Sequence, residues 1–158
     1  MTRVHPSFIR VDADEVTYPL HVILRFEIEQ EIINGNIKAV DLPEIWNAKM
    51  KEYLGIVPDT YANGCLQDIH WPAGWLGYFP SYTNGAIIAS MLMKKIKENH
   101  DIDSELSQGR FDSLNNYLNK NLREIGSLKS SADLLEQATG FAEIQPMIFI
   151  DYLKKKYL

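Results

Sequence analysis

The sequence predicts an all-α protein, and three observations support that class. Apolar residues recur at steps of three and four over most of the chain, which is the spacing of an amphipathic helix. Glycine or asparagine follows several of these runs, and either residue suits the end of a helix. No segment shows the strict alternation of apolar and polar residues that is typical of a strand. These patterns predict six or seven helices in a single domain over residues 1–158, a length that is enough for one core.

The first predicted helix lies between Phe8 and Glu31. Negative charge at Asp12 and the acidic residues after it favours a helix start near Asp12, because it complements the helix dipole. Apolar residues cover most of its circumference, which is typical of a buried helix. Pro19 lacks an N–H and is expected to kink this helix early. A polar stripe at helical spacing runs along the same stretch and consists of Arg10, Asp14, Tyr18, His21 and Arg25. Because charges on a buried helix must be paired or used, we interpret the stripe as the wall of a site.

The other elements follow in order. The second helix has Asp41 as its expected N-cap and Pro43 in its first turn, and it ends at Gly55. Residues 56–79 show no period and are rich in glycine, proline and aromatic residues, which predicts a long functional loop. The remaining predicted helices are Pro80 to Asn99, a short one in 101–108, Phe111 to Gly126, one with a Ser130/Asp133 capping box that ends at Gly140, and a last one from Pro146.

Composition excludes several classes of function. A net charge of −5 argues against nucleic acid as the main partner. No apolar run approaches the roughly 20 residues that a membrane-spanning helix needs, and the residues after Met1 do not resemble a signal peptide. The single cysteine, Cys65, excludes an internal disulfide and fits a reducing compartment. We therefore expect a cytoplasmic protein that binds neither nucleic acid nor a membrane.

The stripe has two interpretations. Arg10, Asp14 and Tyr18 follow one another at intervals of four residues. They would form a structural ion pair at a helix start with a core aromatic beside it, or they would form part of a binding site. In the second case Arg10 binds a carboxylate and Asp14 fixes its orientation, while the phenol of Tyr18 donates to a developing oxyanion. The residues alone leave both interpretations open.

A second candidate lies in the loop, in the segment GCLQDIHW (64–71). Gln67, Asp68, His70 and Trp71 would line a polar pocket in which Asp68 orients His70. The alternative is a loop that is held by its own side-chain hydrogen bonds, and the residues alone favour this alternative.

No metal site is predicted within the chain itself. None of the four histidines forms a His-x-x-x-His pair, and His-Glu-x-x-His is absent. His21 is interpreted as a hydrogen-bonded core histidine near Arg25. Cys65 has no obvious base beside it and is interpreted as a buried thiol.

Two of these segments resemble signature motifs of the carboxypeptidase Taq family of zinc metallocarboxypeptidases. IRVDAD (9–14) and GCLQDIHW (64–71) match Ile/Val-Arg-x-x-Ala-Asp and Gly-x-x-Gln-Asp-x-His-Trp at every fixed position and in the right order. Further segments that resemble the family are DEVTYPLHVILRFEIE, DLPEIWNAKMKEYLGI, GYFPSYTNG and the tail from Ala132 to Tyr157. Family members are much longer, and the resemblance is to their C-terminal portion only. The part with His-Glu-x-x-His, the downstream glutamate ligand and Asp-x-Arg-x-Thr has no counterpart here.

The resemblance implies the C-terminal helical portion of a zincin-like, neurolysin-type metallopeptidase with a deep groove. In the full-length enzyme, zinc or another divalent metal would activate a water that hydrolyses the last peptide bond and releases a C-terminal amino acid. This chain would supply the opposite wall, with no metal ligand of its own, and we expect it to be inactive alone. The implied roles are substrate binding by Arg10, Asp14, Gln67, Asp68 and Trp71, and catalysis by Tyr18 as oxyanion donor and by His70.

The implied partners are a peptide with a free C-terminus, the N-terminal part of the same enzyme, and a second copy, since the resemblance suggests a homodimer. The alternative function is a non-catalytic helical module that dimerises or joins a separate N-terminal half. Small residues on the helix after Pro80 and an aromatic loop would suit such an interface.

Overall fold

A computed structural model describes residues 2–158 and confirms the all-α prediction. Its described residues contain seven α-helices and no strand. The helices are α1 (Tyr18–Ile33), α2 (Leu42–Leu54), α3 (Pro80–Lys97), α4 (Ile102–Ser107), α5 (Asp112–Leu118), α6 (Ser131–Thr139) and α7 (Pro146–Tyr157). Short 3-10 turns occur at Arg10–Asp12, Ala39–Asp41 and Gly126–Leu128, and a π turn, Asn119–Arg123, follows α5.

The chain divides into two compact units, which we describe separately. The first comprises residues up to Thr83 together with Tyr157, and the second comprises Asn84–Lys156 with Leu158. All the residues of the candidate site belong to the first unit. The expectation of a single domain stays a prediction.

The first unit is built on the packing of α1 against α2. Its core consists of Leu24, Ile28, Trp46, Met50, Leu54 and Cys65. Helix α2 ends as predicted, because Gly55 adopts a left-handed conformation with φ of 73° and its N–H closes the last turn. Asp41 precedes α2 but does not cap it with its side chain. Its carboxylate instead accepts the backbone N–H of Lys38 at 3.0 Å, within the preceding 3-10 turn.

The start of α1 differs from the prediction. The helix begins at Tyr18 and Pro19 occupies its first turn, where a missing N–H removes no intrahelical bond. Arg10 lies in a separate 3-10 turn. Between the two, Asp14 accepts the backbone N–H groups of Val16 and Thr17, both at 2.9 Å. The predicted early helix start and the proline kink are therefore wrong, and the polar stripe does not lie on one helix throughout.

The loop prediction is confirmed, since residues 56–79 form consecutive turns between α2 and α3. Gly74 and Gly77 both have φ of 75°, which a side chain would disfavour. They allow the chain to reverse beside α1, where the N–H of Gly77 bonds to the carboxylate of Glu29. The loop is therefore tied to the helix that carries part of the site.

The second unit follows most of the predicted pattern, but α5 ends at Leu118 and the rest of the helix predicted to reach Gly126 is the π turn and the start of a 3-10 turn. Ile87 and Met91 of α3 pack with Phe149 of α7. The side chain of Ser130 accepts the N–H of Asp133 at 3.2 Å, as the capping box predicted. Gly140 ends α6 with φ of 83°, and α7 begins at Pro146. None of the helices in residues 2–158 combines the length and the hydropathy that crossing a membrane requires.

Candidate functional site

Asp68 lies at the centre of the site, where its carboxylate binds two arginines. Oδ1 accepts hydrogen bonds from Nε and Nη2 of Arg10 at 3.1 and 2.8 Å. Oδ2 accepts one from Nε of Arg25 at 2.6 Å. Arg10 is 6% exposed and Arg25 is 0% exposed, so both guanidinium groups are largely removed from water. Two positive charges face one negative charge, and the three groups together carry one positive charge in excess.

The pKa values of these groups follow from burial and from their mutual charges. Burial raises the pKa of Asp68, but the two arginines outweigh it and hold that pKa below its ordinary value. Burial lowers the pKa of the wholly buried Arg25 to about 10, although Asp68 opposes this shift. Burial also lowers the pKa of Arg10, but Asp68 outweighs it and the pKa rises above its ordinary value. All three groups are therefore charged at neutral pH.

Gln67 joins the three segments that build the site. Its Oε1 accepts the backbone N–H of Arg10 at 2.9 Å and Nη2 of Arg25 at 2.8 Å. Its Nε2 donates to the carbonyl oxygens of Phe8, Asn63 and Gly64 at 3.0, 3.0 and 3.1 Å. Both ends of the amide are thus occupied by protein groups. Gln67 braces the site rather than presenting a free hydrogen-bonding group to a ligand.

Tyr18 is the first residue of α1, and its phenol contacts Arg10. Nη1 of Arg10 donates to the Tyr18 Oη at 2.8 Å. Because a guanidinium only donates, the phenol oxygen accepts and its own O–H proton remains available to another acceptor. Tyr18 is half-buried, whereas Arg10 behind it is buried. The arrangement is a partly exposed donor that a buried cation holds in place.

His70 is buried in an aromatic environment and is 5% exposed. Its ring centroid lies 4.4 Å from that of Phe79. Nε2 lies 3.0 Å from the Oη of Tyr82. Nδ1 lies 3.7 Å from Oδ1 of Asp68, which is too long for a hydrogen bond, and it has no other partner among the described residues. Burial lowers the pKa of His70 in spite of Asp68, so its imidazole is neutral at pH 7.

The structure therefore brings together most of the site residues that the sequence predicted. Arg10, Tyr18, Asp68 and His70 share one cluster, and Gln67 braces it. The loop is neither only a pocket lining nor only a segment held by its own hydrogen bonds. Its side chains bond within the loop, to Arg10 in the turn before α1, and to Arg25 on α1.

Asp14 does not contact Arg10 as expected, and Trp71 contacts a carboxylate of α1. No hydrogen bond or ion pair within residues 2–158 joins Asp14 to Arg10; its carboxylate bonds to backbone N–H groups, including that of His5 at 2.8 Å. The expectation that Asp14 orients Arg10 is wrong, because the chain between Arg10 and Tyr18 is not helical. Nε1 of Trp71 donates to the Glu29 carboxylate at 2.8 Å. Trp71 packs against the core of the first unit and braces the loop.

Two other interpretations are confirmed. His21 is 0% exposed, and its Nδ1 lies 3.4 Å from Nη1 of Arg25, so it is a core histidine that accepts from the arginine. Burial and the Arg25 charge lower its pKa from 6.5 to about 4. Cys65 is a buried thiol whose pKa burial raises, and this disfavours the reactive thiolate.

Arg25 was predicted as part of the polar stripe, whereas two further residues of the site, Glu29 and Tyr82, were assigned no role. Arg25 and Glu29 follow Tyr18 and His21 on α1 at steps of three and four, so the helical period was the signal for both. Tyr82 lies in the first turns of α3, and no spacing rule connects it to His70 twelve residues earlier.

Among residues 2–158, no three His, Cys, Asp or Glu side chains lie close enough together to hold a metal ion. The acidic and histidine groups of the site are instead engaged with arginine, tyrosine, indole and backbone partners.

Comparison with known proteins places this geometry in context. The family model described as carboxypeptidase Taq (M32) metallopeptidase matches residues 1–157. Carboxypeptidase 1 of Bacillus subtilis is 45% identical over 153 residues, which are 96% of this chain and 30% of that protein. Thermostable carboxypeptidase 1 of Pyrococcus furiosus is 40% identical over 98% of this chain and 31% of its own length. The chain thus spans about a third of the length of the curated relatives it matches.

Solved structures also match nearly all of this chain and about a third of the other chain. Metallocarboxypeptidase 1 of Trypanosoma cruzi superposes with a TM-score of 0.93 at 40% identity, over 98% of this chain and 33% of that chain. A carboxypeptidase structure from Pyrococcus furiosus superposes with a TM-score of 0.94 at 40% identity, over 98% of this chain and 31% of that chain.

Proposed function

The chain belongs to the carboxypeptidase Taq (M32) metallopeptidase family, and on that premise we propose that it forms one wall of the substrate cleft of a metal-dependent carboxypeptidase. The reaction is hydrolysis of the last peptide bond of a peptide with a free C-terminus. The chain supplies groups that bind and orient the substrate, and the metal ligands come from polypeptide outside it. In the assembled enzyme the metal, zinc or another divalent ion, would supply an activated water.

The observation that carries this proposal is the pairing of Tyr18 with Arg10. A half-buried phenol with a free proton, held by the buried guanidinium of Arg10, is a preorganised donor for an oxygen that gains negative charge. Its orientation depends on Asp68, which fixes Arg10 through two hydrogen bonds. Tyr18 would thus act as the oxyanion donor, and Arg10 and Asp68 would position it.

The excess positive charge of the Arg10–Asp68–Arg25 cluster supports a substrate that ends in a carboxylate. Asp68 alone does not neutralise both arginines, and Glu29, the other buried carboxylate of the site, bonds to Trp71 and to the N–H of Gly77. We propose that the substrate carboxylate adds a further negative charge near the two arginines. Arg10 offers little exposed surface, so we propose that it attracts the carboxylate mainly by its field and secondarily by contact. Asp14 would act at a distance, by holding the turn that leads into α1.

A hybrid enzyme provides the test. In it, this chain replaces the matching 153 residues of the Bacillus subtilis relative, to which it is 45% identical. We expect the hybrid enzyme to release C-terminal amino acids from peptides with a free carboxylate and to leave C-terminally amidated peptides intact. The 158-residue chain alone, with added zinc, is expected to be inactive. A hybrid that folds, retains its metal and does not turn over would contradict the proposal and favour a non-catalytic interaction module.

Two parts of the proposal concern the setting of the assembled enzyme. We propose that it is a homodimer and that it works in the cytoplasm. Sedimentation of the hybrid enzyme tests the first, and fractionation of cells that express the protein from its own gene tests the second.

A further inference from the structure

We infer that Tyr82 is a second phenol of the site, that it accepts a hydrogen bond from a backbone N–H of the peptide substrate, and that His70 positions it for this role. The inference rests on the proposed function, because it takes a peptide as the ligand. It goes beyond that function because it adds a hydrogen-bond acceptor, Tyr82, beside the donor, Tyr18.

The position of Tyr82 is fixed by the residue that precedes α3. Phe79 is 0% exposed, and its ring centroid lies 4.4 Å from that of His70 and 5.9 Å from that of Trp71. Helix α3 begins at the next residue, Pro80, so its first turn is anchored on the loop. Tyr82 follows in this turn, and its Oη reaches Nε2 of His70 at 3.0 Å.

The direction of this hydrogen bond follows from the charge behind the histidine. Nδ1 of His70 faces Oδ1 of Asp68 at 3.7 Å, and this carboxylate is ionised because two arginines bind it. A ring N–H pointing at the carboxylate is favoured over a lone pair pointing at it, so the proton belongs on Nδ1. Nε2 then carries the lone pair and accepts the O–H of Tyr82. The phenol oxygen is left with acceptor capacity only.

Tyr18 has the reverse arrangement. Its oxygen accepts from Arg10, and its proton is free to be donated. A buried partner thus determines which hydrogen bond each phenol can still form. The Arg10 cation can only donate, so Tyr18 keeps its proton for donation, and the neutral imidazole of His70 accepts, so Tyr82 is left as an acceptor.

The two phenols are neighbours and both are half-buried. Their ring centroids lie 6.3 Å apart in an edge-to-face arrangement, and Cζ of Arg10 lies 4.8 Å from the centre of the Tyr82 ring. A ligand in contact with one phenol is therefore within reach of the other. A donor and an acceptor side by side match a peptide backbone, which presents carbonyl oxygens and N–H groups. Tyr18 would bind the first kind of group and Tyr82 the second.

The first experiment tests the direction of the hydrogen bond between His70 and Tyr82, and it requires no enzymatic activity. Nitrogen NMR of the imidazole groups in the 158-residue chain locates the proton on each neutral histidine. We expect His70 to carry its proton on Nδ1, and Tyr82→Phe to shift the Nε2 resonance more than the Nδ1 resonance. A His70 with its proton on Nε2 would overturn the acceptor assignment.

The second experiment measures the substrate contact in the hybrid enzyme. A peptide series carries an ester in place of one non-scissile amide at a time, so each member lacks one N–H. Tyr82→Phe is expected to lower kcat/KM for the parent peptide about tenfold and to cause no further loss for the one ester that lacks the contacted N–H. An equal loss for every substrate would mean that Tyr82 is merely structural. Tyr61→Phe, an exposed phenol of the same unit, is the matched control.

The two experiments also separate this inference from the proposed function. A hybrid enzyme that holds its metal but does not turn over contradicts the proposed function, and the position of the His70 proton then decides the acceptor assignment alone. An active hybrid in which Tyr82→Phe has no effect on any substrate supports the proposed function and overturns the inference.

Discussion

At the residue scale, one carboxylate determines how the site is arranged. Asp68 holds Arg10 and Arg25 at once and faces His70, so it influences the groups behind both phenols. Burying three charged groups is favourable only when their hydrogen bonds are satisfied. Gln67 contributes to that by accepting from Nη2 of Arg25, and it also holds the backbone N–H of Arg10. Such a cluster adds little net stability but defines the geometry of the site.

The residue scale also explains how much of the site could be predicted from sequence. The motif segments identified Arg10, Gln67, Asp68 and His70 because their spacing is distinctive. The assignment of Asp14 failed because an interval of four residues occurs in turns as well as in helices. Tyr82 could not be found from spacing, since its contact with His70 depends on the path of the loop between them.

Stability at acidic pH is predicted from the state of His21. Burial and Arg25 lower its pKa from 6.5 to about 4, so the unfolded chain takes up a proton first on acidification. The contribution of His21 to the free energy of unfolding is therefore fully present above pH 6.5. It is lost as the pH falls toward 4, and the loss amounts to about 3 kcal/mol. Asp68, whose pKa is lowered, adds a loss in the same direction at lower pH. Urea unfolding from pH 4 to 8 measures the effect.

The control for this prediction is a second histidine. His21→Gln should flatten the dependence of the free energy of unfolding between pH 4 and 6.5. His100→Gln, at an exposed position after α3, should not change it. Identical pH profiles for His21→Gln and the parent chain would contradict the assignment.

At the scale of elements, the helices could be predicted because their apolar period and their end residues agree. Gly55, Gly140 and the Ser130 cap all act as expected. The start of α1 could not be predicted, because the hydrogen bonds of the Asp14 side chain create a turn where the residue spacing alone imitates a helix. Local side-chain bonding outweighed periodicity at this point.

Pro19 provides a test of where α1 begins. In the first turn of a helix, proline removes no hydrogen bond and restricts the unfolded chain, so Pro19→Ala should destabilise the protein by less than about 1 kcal/mol. In a helix interior the same change would stabilise the protein, since it would restore a backbone bond. Thermal unfolding distinguishes the two signs. Pro43→Ala, also in a first turn, should behave in the same way.

At the scale of the whole molecule, α1 carries more apolar surface than its own unit covers. Ile23, Phe26 and Ile33 are 38%, 39% and 59% exposed, at steps of three and seven along the helix. The composition of α1 predicted a helix buried on most sides. Because the chain spans about a third of its relatives' length, the uncovered stripe suits further polypeptide or a second copy.

We therefore expect the 158-residue chain to self-associate when it is studied alone. Phe26→Glu should shift sedimentation toward the monomer, because it places a charge in the stripe. Val40→Glu changes a residue that is 80% exposed outside α1 and should have no such effect. A parent chain that sediments as a monomer at all concentrations would contradict this expectation.

The most direct test of the central claim is the effect of Tyr18→Phe on kcat in the hybrid enzyme. If Tyr18 is the oxyanion donor, removal of its hydroxyl should lower kcat about a hundredfold or more, with KM and metal content unchanged. Tyr61→Phe should leave kcat at the parent value. A Tyr18→Phe hybrid with parental kcat would contradict the claim that this chain supplies the catalytic wall of the cleft.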